Sequence, residues 1–465
     1  MLAHSPPFPL IIDHVDQSRP ITAEDEEQIM LALQHPDRIR RIRLLVPTQN
    51  LQKFITAMDK EFPILEYLHI GPLTYNNTGF VVPEILQAPH LRHLILLNFA
   101  FTLGSQLFTT AAGLITLSLN DIPPSAYIHP GDLLCCISHI TQLQTLGVSF
   151  QSPLPDQRQI LDVPITTRVT LPSLRWFGFK GASAYLETLL SRITAPVLEK
   201  LQVDFFNQLT ISIPNTQQFI SSTENLRFSS AILGLHETSV ALWVFPREET
   251  SMYALYMGIN GQHHDWHVSS AAQIISALSK VFSTVVSLSL YLDNWKRTSS
   301  PEWHNEVDRI HWRGVLRSFN NVKTLHVQHG LLEELSRTLQ LQDGESPREL
   351  LPELKELRYD AGSDISGAFV PFLDVRRHAG HPFTLVPILK PRNRRLGRPL
   401  LPPSLGAPTL VSFRILLLFV LNLTYIAHSA TGACPYPCPC LCYLTLTRYL
   451  WIRAFIGLFE PWSPF

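Results

Sequence analysis

One phrase, apolar-x-x-apolar-x-apolar, recurs along most of this chain and limits what it can fold into. It begins at Ile39, Leu65, Leu91, Leu114, Leu143, Leu174 and Leu198, at intervals of 26, 26, 23, 29, 31 and 24 residues. A weaker copy begins at Leu226, and three more begin at Val285, Val322 and Leu354. On a strand, side chains alternate faces, so the second and third apolar residues of each phrase share one face. The residues between them share the other.

Repeats of roughly 20–29 residues with one short strand each mark leucine-rich architectures. A single unit cannot bury its own apolar face, so neighbours must stack. The connecting segments read as helices. Leu51, Phe54, Ile55 and Met58 keep helical spacing, as does the run from Ala184 to Ile193. The expected fold is therefore α/β: an irregular leucine-rich-repeat-like solenoid with a parallel sheet on the concave face and helices outside. It is irregular because Asn98 and Asn120 approach the fixed asparagine of a regular repeat at different offsets, and the other units lack it. An ordinary α/β sheet with chance leucines is the alternative.

Four regions are expected. Residues 1–38 give an extended, proline-rich segment and a capping helix. Thr22 serves there as N-cap, with Asp25 three residues later. Residues 39–386 form the solenoid, with an inserted hairpin or enlarged repeat near 232–268. Within it, Val307, Ile310, Val315 and Leu316 are read as one face of a long helix, and Ile365 to Gly380 as the closing helix. Residues 387–409 are a basic, proline-rich linker. Residues 410–465 are an apolar, poorly ordered tail, either a membrane segment near 410–427 or translated non-coding sequence.

Charge divides at the same boundary. From Lys390 onward there are eight Lys or Arg against Glu460, which leaves residues 1–389 at −8 beneath an overall −1. A net charge this small supplies no field for nucleic acid. At 465 residues the chain is long for one ordinary core unless that core is linear. Six cysteines build no disulfide framework, and Cys135 and Cys136 read as buried thiols. The start, MLAHSPPFPLII, lacks a secretory signal. The expected location is cytoplasmic or nuclear, with anchoring through the tail as the alternative.

Chemistry is sparse. His263, Asp265 and His267 form the densest histidine cluster, and a loop tip without metal is the reading preferred. His304 and Asp308 lie four apart but do not make HExxH. Cys434, Cys438, Cys440 and Cys442 have the wrong spacing for a zinc knuckle. Glu333 and Glu334 diverge on a helix as ordinary surface charge. No nucleophile has a nameable base. A non-enzymatic protein with no cofactor and no metal is expected.

A binding face can be named instead. If the repeat leucines point inward, the alternate residues line the concave face: Arg41, Arg43, Tyr67, His69, His93, Trp176, Lys180, Lys200, Asp204, Tyr291, His326 and Arg358. Trp, Tyr and Arg are the types favoured at interface hot spots. Trp176 with Lys180 is the anchor expected.

The phrases SPPFPLIID, FPILEYLHIGPL, APHLRHLILLNFAF, LITLSLNDIPPSAYIHPGDLL, LPSLRWFGFKG, SSTENLRFSSA and LLPELKEL extend from about Leu2 to Val386. Together they resemble the fungal F-box proteins with degenerate leucine-rich repeats. The resemblance implies a scaffold that recruits a protein substrate to a cullin-RING ubiquitin ligase. The helical F-box segment is not recognisable ahead of SPPFPL, which leaves docking to the ligase adaptor without its usual element.

Overall fold

A computed structural model describes residues 8–15, 20–74, 79–100, 105–153, 167–206, 208, 210–236, 238–246, 252–260, 267–292, 306–328, 331–340, 350–360 and 366–388. The chain divides into two units, residues 1–395 and 396–465, and every described residue belongs to the first. The cluster from His263 to Asp265, His304, the tail cysteines and the 410–427 segment lie outside the described residues.

The repeat phrases are strands. They are β2 (Ile39–Val46), β3 (Tyr67–Pro72), β5 (His93–Leu97), β7 (Thr116–Ile122), β8 (Thr145–Phe150), β10 (Trp176–Gly181), β12 (Lys200–Phe205), β13 (Phe228–Leu235), β16 (Ser287–Leu292), β17 (Thr324–Val327) and β18 (Glu356–Asp360). Five further strands lie between or beyond them: β1 (Leu10–His14), β4 (Phe80–Val81), β6 (Phe99–Ala100), β9 (Val169–Thr170) and β11 (Ile193–Thr194). The last three are β14 (Ser239–Pro246), β15 (Leu255–Asn260) and β19 (Thr384–Ile388). Fifteen make one mostly parallel sheet, ordered β1-β2-β3-β5-β7-β8-β10-β12-β15-β14-β13-β16-β17-β18-β19. The pairs β4–β6 and β9–β11 stand apart as small parallel ladders.

Register turns the repeat into a spine. Leu68, Leu94, Leu117, Leu146, Phe177, Leu201 and Leu255 are direct partners on successive parallel strands. None is exposed at all. One hydrophobic cluster joins them to helix residues such as Leu51, Phe54, Leu133, Leu186 and Ile275, so helices cover this face of the sheet. The helix Ala23–Leu33 opens on the capping box anticipated at Thr22 and Asp25. The helix Val370–His378 closes near Gly380, whose φ of +78° is left-handed backbone that a Cβ would strain.

Several details differ from the sequence reading. The sheet begins at β1, ahead of residue 39, because Leu10 to His14 pair in parallel with β2. The insertion contains the hairpin anticipated near 232–268, β14 with β15, and β13 extends it to a three-stranded antiparallel meander. β13 pairs antiparallel with β14, and β14 with β15, while β15 joins β12 and β13 joins β16 in parallel. Both outer strands thereby keep the common direction.

Burial patterns also differ. Val307 and Ile310 are each 59% exposed, whereas Trp312, Val315, Leu316 and Phe319 are buried. Val307 precedes Leu316 by nine residues, about 900° of helix at ~100° each, which sets it half a turn away. Glu334 is buried, not surface charge. Its helix, Leu332–Leu339, packs against the helix Glu306–Arg317 and the turn Ser366–Phe369, and Glu334 is buried along with Leu335 and Thr338. Glu333 stays outside and pairs with Arg337 at 2.6 Å. Cys135 is exposed, because the stripe Leu133, Leu134 and Ile137 turns it outward.

No helix among the described residues is long and apolar enough to cross a membrane.

Candidate interaction face

On the opposite face of the sheet, the alternate residues fall into three rows by strand register. The first runs Arg41, Tyr67, His93, Thr116, Thr145, Trp176 and Lys200, across seven adjacent parallel strands. The second runs Asp13, Arg43, His69, Ile95, Ser118, Gly147, Gly178 and Gln202, and continues through Tyr256, Trp243, Ile232, Ser289, His326 and Arg358. The third brings Lys180, Asp204, Gly258, Ala241, Gly234 and Tyr291 into line.

Sequence-derived candidates therefore share a face but not one patch. Arg41, Arg43, Tyr67, His69 and His93 gather at the β2–β3–β5 end. Trp176, Lys180, Lys200 and Asp204 gather on β10 and β12. Tyr291, His326 and Arg358 lie beyond the inserted meander. Three extra strands at about 4.8 Å each separate them from β12.

Trp176 and Lys180, the anchor expected from the sequence, have different neighbours. Both belong to β10, but the indole lies along its own strand over Gly178 and reaches Gly147, where a Cβ would stand 3.4 Å from Cζ3. Gly178 has no room for a methyl group beneath the ring. Small residues at both positions give the half-buried indole a flat bed. Lys180 instead approaches Asp121 at 3.8 Å.

The meander supplies residues that sequence reasoning missed. Lys200 Nζ sits 3.9 Å from the Tyr253 ring centroid. Burial brings the amine down to about 8. Tyr253 Oη donates to Gln202 Oε1 at 3.3 Å, and Tyr256 Oη donates to Asp204 Oδ1 at 3.0 Å. Trp243 and Tyr256 approach at 5.8 Å, and His236 packs on both Trp243 and Tyr291. The alternating aromatics of SVALWVF and MYALYMGI carried this signal. Their partners could not be read, because β12 pairs with a strand that comes third after it.

Asp204 is the most perturbed carboxyl of this group. Burial pushes it up to about 6, against the lowering pull of its hydrogen bonds to Tyr256 and Gln202 and the charge of Lys180. A carboxyl raised in the folded state favours the protonated form there. Its stability contribution is full below the unfolded value near 3.8 and is lost as pH rises through about 6. Asp204→Asn should therefore stabilise the fold at neutral pH by about 1–3 kcal/mol, since each tenfold change in proton affinity is worth ~1.4 kcal/mol. Thermal melts at pH values from about 4 to 8 check this. Wild type and variant should converge near pH 4, and equal midpoints at neutral pH would contradict the burial of the charge.

Elsewhere, an open groove of about 560 Å³ runs between the helices His267–Ala277 and Glu306–Arg317, with Ile211, Ala272, Ile310 and His311 in its lining. Among the described residues, no three His, Cys, Asp or Glu side chains gather as a metal ion would need. The second face of the sheet carries an array of charged and aromatic groups.

No family model matches this chain, and no curated protein matches it. Its reading rests on the sheet itself.

Proposed function

We propose that the chain is a leucine-rich-repeat-like solenoid whose sheet lines the concave side, and that it works as a non-enzymatic protein-binding scaffold. In this reading it is the substrate-recognition part of an F-box-type ubiquitin-ligase subunit, acting in the cytoplasm or nucleus. The observation that carries the reading is the first row of the open face. Arg41, Tyr67, His93, Trp176 and Lys200 stand partly exposed in one register row, with buried Thr116 and Thr145 between His93 and Trp176, while the other face is covered by helices. Six strand gaps of about 4.8 Å spread the row over about 29 Å, the reach of an extended peptide or a docked domain edge. Tyr and Trp bury large area with few torsions to fix, and Arg adds a planar fork of donors, so these types are enriched at interface hot spots.

The test uses the full chain as bait. A partner cross-linked to the open face should lose about thirty-fold in affinity for the Trp176→Ala, Lys200→Ala double variant, the equivalent of about 2 kcal/mol for an interface hot spot. The melting temperature of the variant controls for folding. Affinity unchanged within threefold would remove this row from the interface.

A further inference from the structure

The β2–β3–β5 end of the open face holds three buried hydrogen-bond donors that lack acceptors. Arg41 Nε, Arg43 Nε and Tyr67 Oη are shut off from solvent and have no hydrogen-bond partner among the described residues. Burying such donors unpaired costs about 1–3 kcal/mol each, more when the group is charged. They belong to one neighbourhood. Arg41 and Arg43 are two apart on β2 and so share a face, and Tyr67 on β3 is the direct partner of Arg41. The Arg41 guanidinium stacks on the Tyr67 ring with Cζ 4.5 Å from its centroid.

Charge is unbalanced at the same place. Asp13 approaches Arg43 at 3.9 Å, too long for a hydrogen bond. Glu66 is taken by Arg40 at 2.9 Å. Arg41 makes no ion pair among the described residues. Counting Arg41, Arg43 and Asp13, the patch carries one uncompensated positive charge.

We propose that this end of the sheet binds one acidic side chain of a protein partner, its carboxylate meeting the partly exposed guanidinium ends of Arg41 and Arg43, which turn outward on binding so that Arg41 Nε, Arg43 Nε and Tyr67 Oη come within its reach. This deepens the scaffold reading above and rests on it. A carboxylate has two oxygens with about four lone-pair sites, enough for three donors. Its single negative charge matches the single positive excess. A phosphate near −2 would overshoot and set a second negative charge beside Asp13. Charge-assisted bonds of this kind are about twice as strong as neutral ones.

The experiment titrates N-acetylglutamate amide into the full chain carrying ¹⁵N-labelled arginine, at constant ionic strength, and follows the Nε–H resonances. Arg41→Lys and Arg43→Lys assign the two signals. Both should move and saturate, while Arg175, an exposed arginine paired with Glu199, stays still. Arg41→Lys should weaken binding about tenfold, because lysine keeps the charge but loses the planar fork. Tyr67→Phe should weaken it about threefold or more. Shifts that track Arg175 without saturating would overturn the site, and so would equal affinity in wild type and both variants. Tighter binding of O-phosphoserine would overturn the carboxylate assignment. None of these results touches the scaffold reading, which is decided separately by partner affinity at Trp176 and Lys200.

Discussion

Phe177→Ala should destabilise the protein by about 3–5 kcal/mol, the usual range for deleting a fully buried aromatic ring. Phe177 has no exposure and stands in the sheet spine between Leu146 on β8 and Leu201 on β12. Two effects add. The ring loses its transfer energy, and the cavity it leaves cannot readily close. β10 is hydrogen-bonded to strands on both sides, so its backbone is held at fixed spacing and cannot sink into the void. Ile310→Ala is the matched control. Ile310 is 59% exposed, and its loss should change stability by no more than about 0.5 kcal/mol. Urea midpoints for both variants, with unchanged slopes, decide the matter. A loss below about 1 kcal/mol for Phe177→Ala would mean that the repeat positions do not form the core.

The contrast shows which parts of the fold were legible. Spacing alone placed the strands, because a strand's period of two leaves little choice once leucines recur at a fixed offset. The capping box at Thr22 was legible for the same reason, since its two partners lie three residues apart. Legibility ended where partners are distant. For the helix Glu306–Arg317 the sequence reading put Val307, Ile310, Val315 and Leu316 on one face, and the packing keeps Val315 and Leu316 inside, adds Trp312, and leaves Val307 and Ile310 out. The order of β13, β14 and β15 was hidden because antiparallel and parallel pairing draw on the same residue types. The candidate face was legible as a set of alternating positions. Its division into patches was not, since Trp176 lies down over Gly178 and the meander separates Tyr291, His326 and Arg358 from the rest.

Glu187 is the extreme case of a residue whose role no local pattern announces, and it carries the second large effect. It sits on the helix Ser183–Leu190 and is 9% exposed. Its carboxylate reaches the next helix, Pro214–Ser222, whose own N-cap, Ile213, has no side-chain acceptor to offer. Glu187 Oε2 accepts from the Asn215 amide at 2.6 Å. Oε1 accepts from the Thr216 amide at 2.9 Å and from its hydroxyl at 2.6 Å. A helix leaves its first amides unpaired and its N-terminus partly positive, so a carboxylate supplied from 28 residues away both satisfies donors and meets the dipole. Thr216 is wholly buried, and water cannot take over without opening the packing. Glu187→Ala would strand three donors and should cost about 3–5 kcal/mol, with each stranded donor worth about 1–3 kcal/mol and the sum less than additive. Glu187→Gln keeps the shape but turns one acceptor into a donor, and should cost about half as much. Hydrogen exchange at the amides of Asn215 and Thr216 adds a local reading, since both should lose protection in Glu187→Ala before the sheet does. Retained protection there, with an unchanged unfolding midpoint, would show that the helix Pro214–Ser222 is held by its apolar contacts alone.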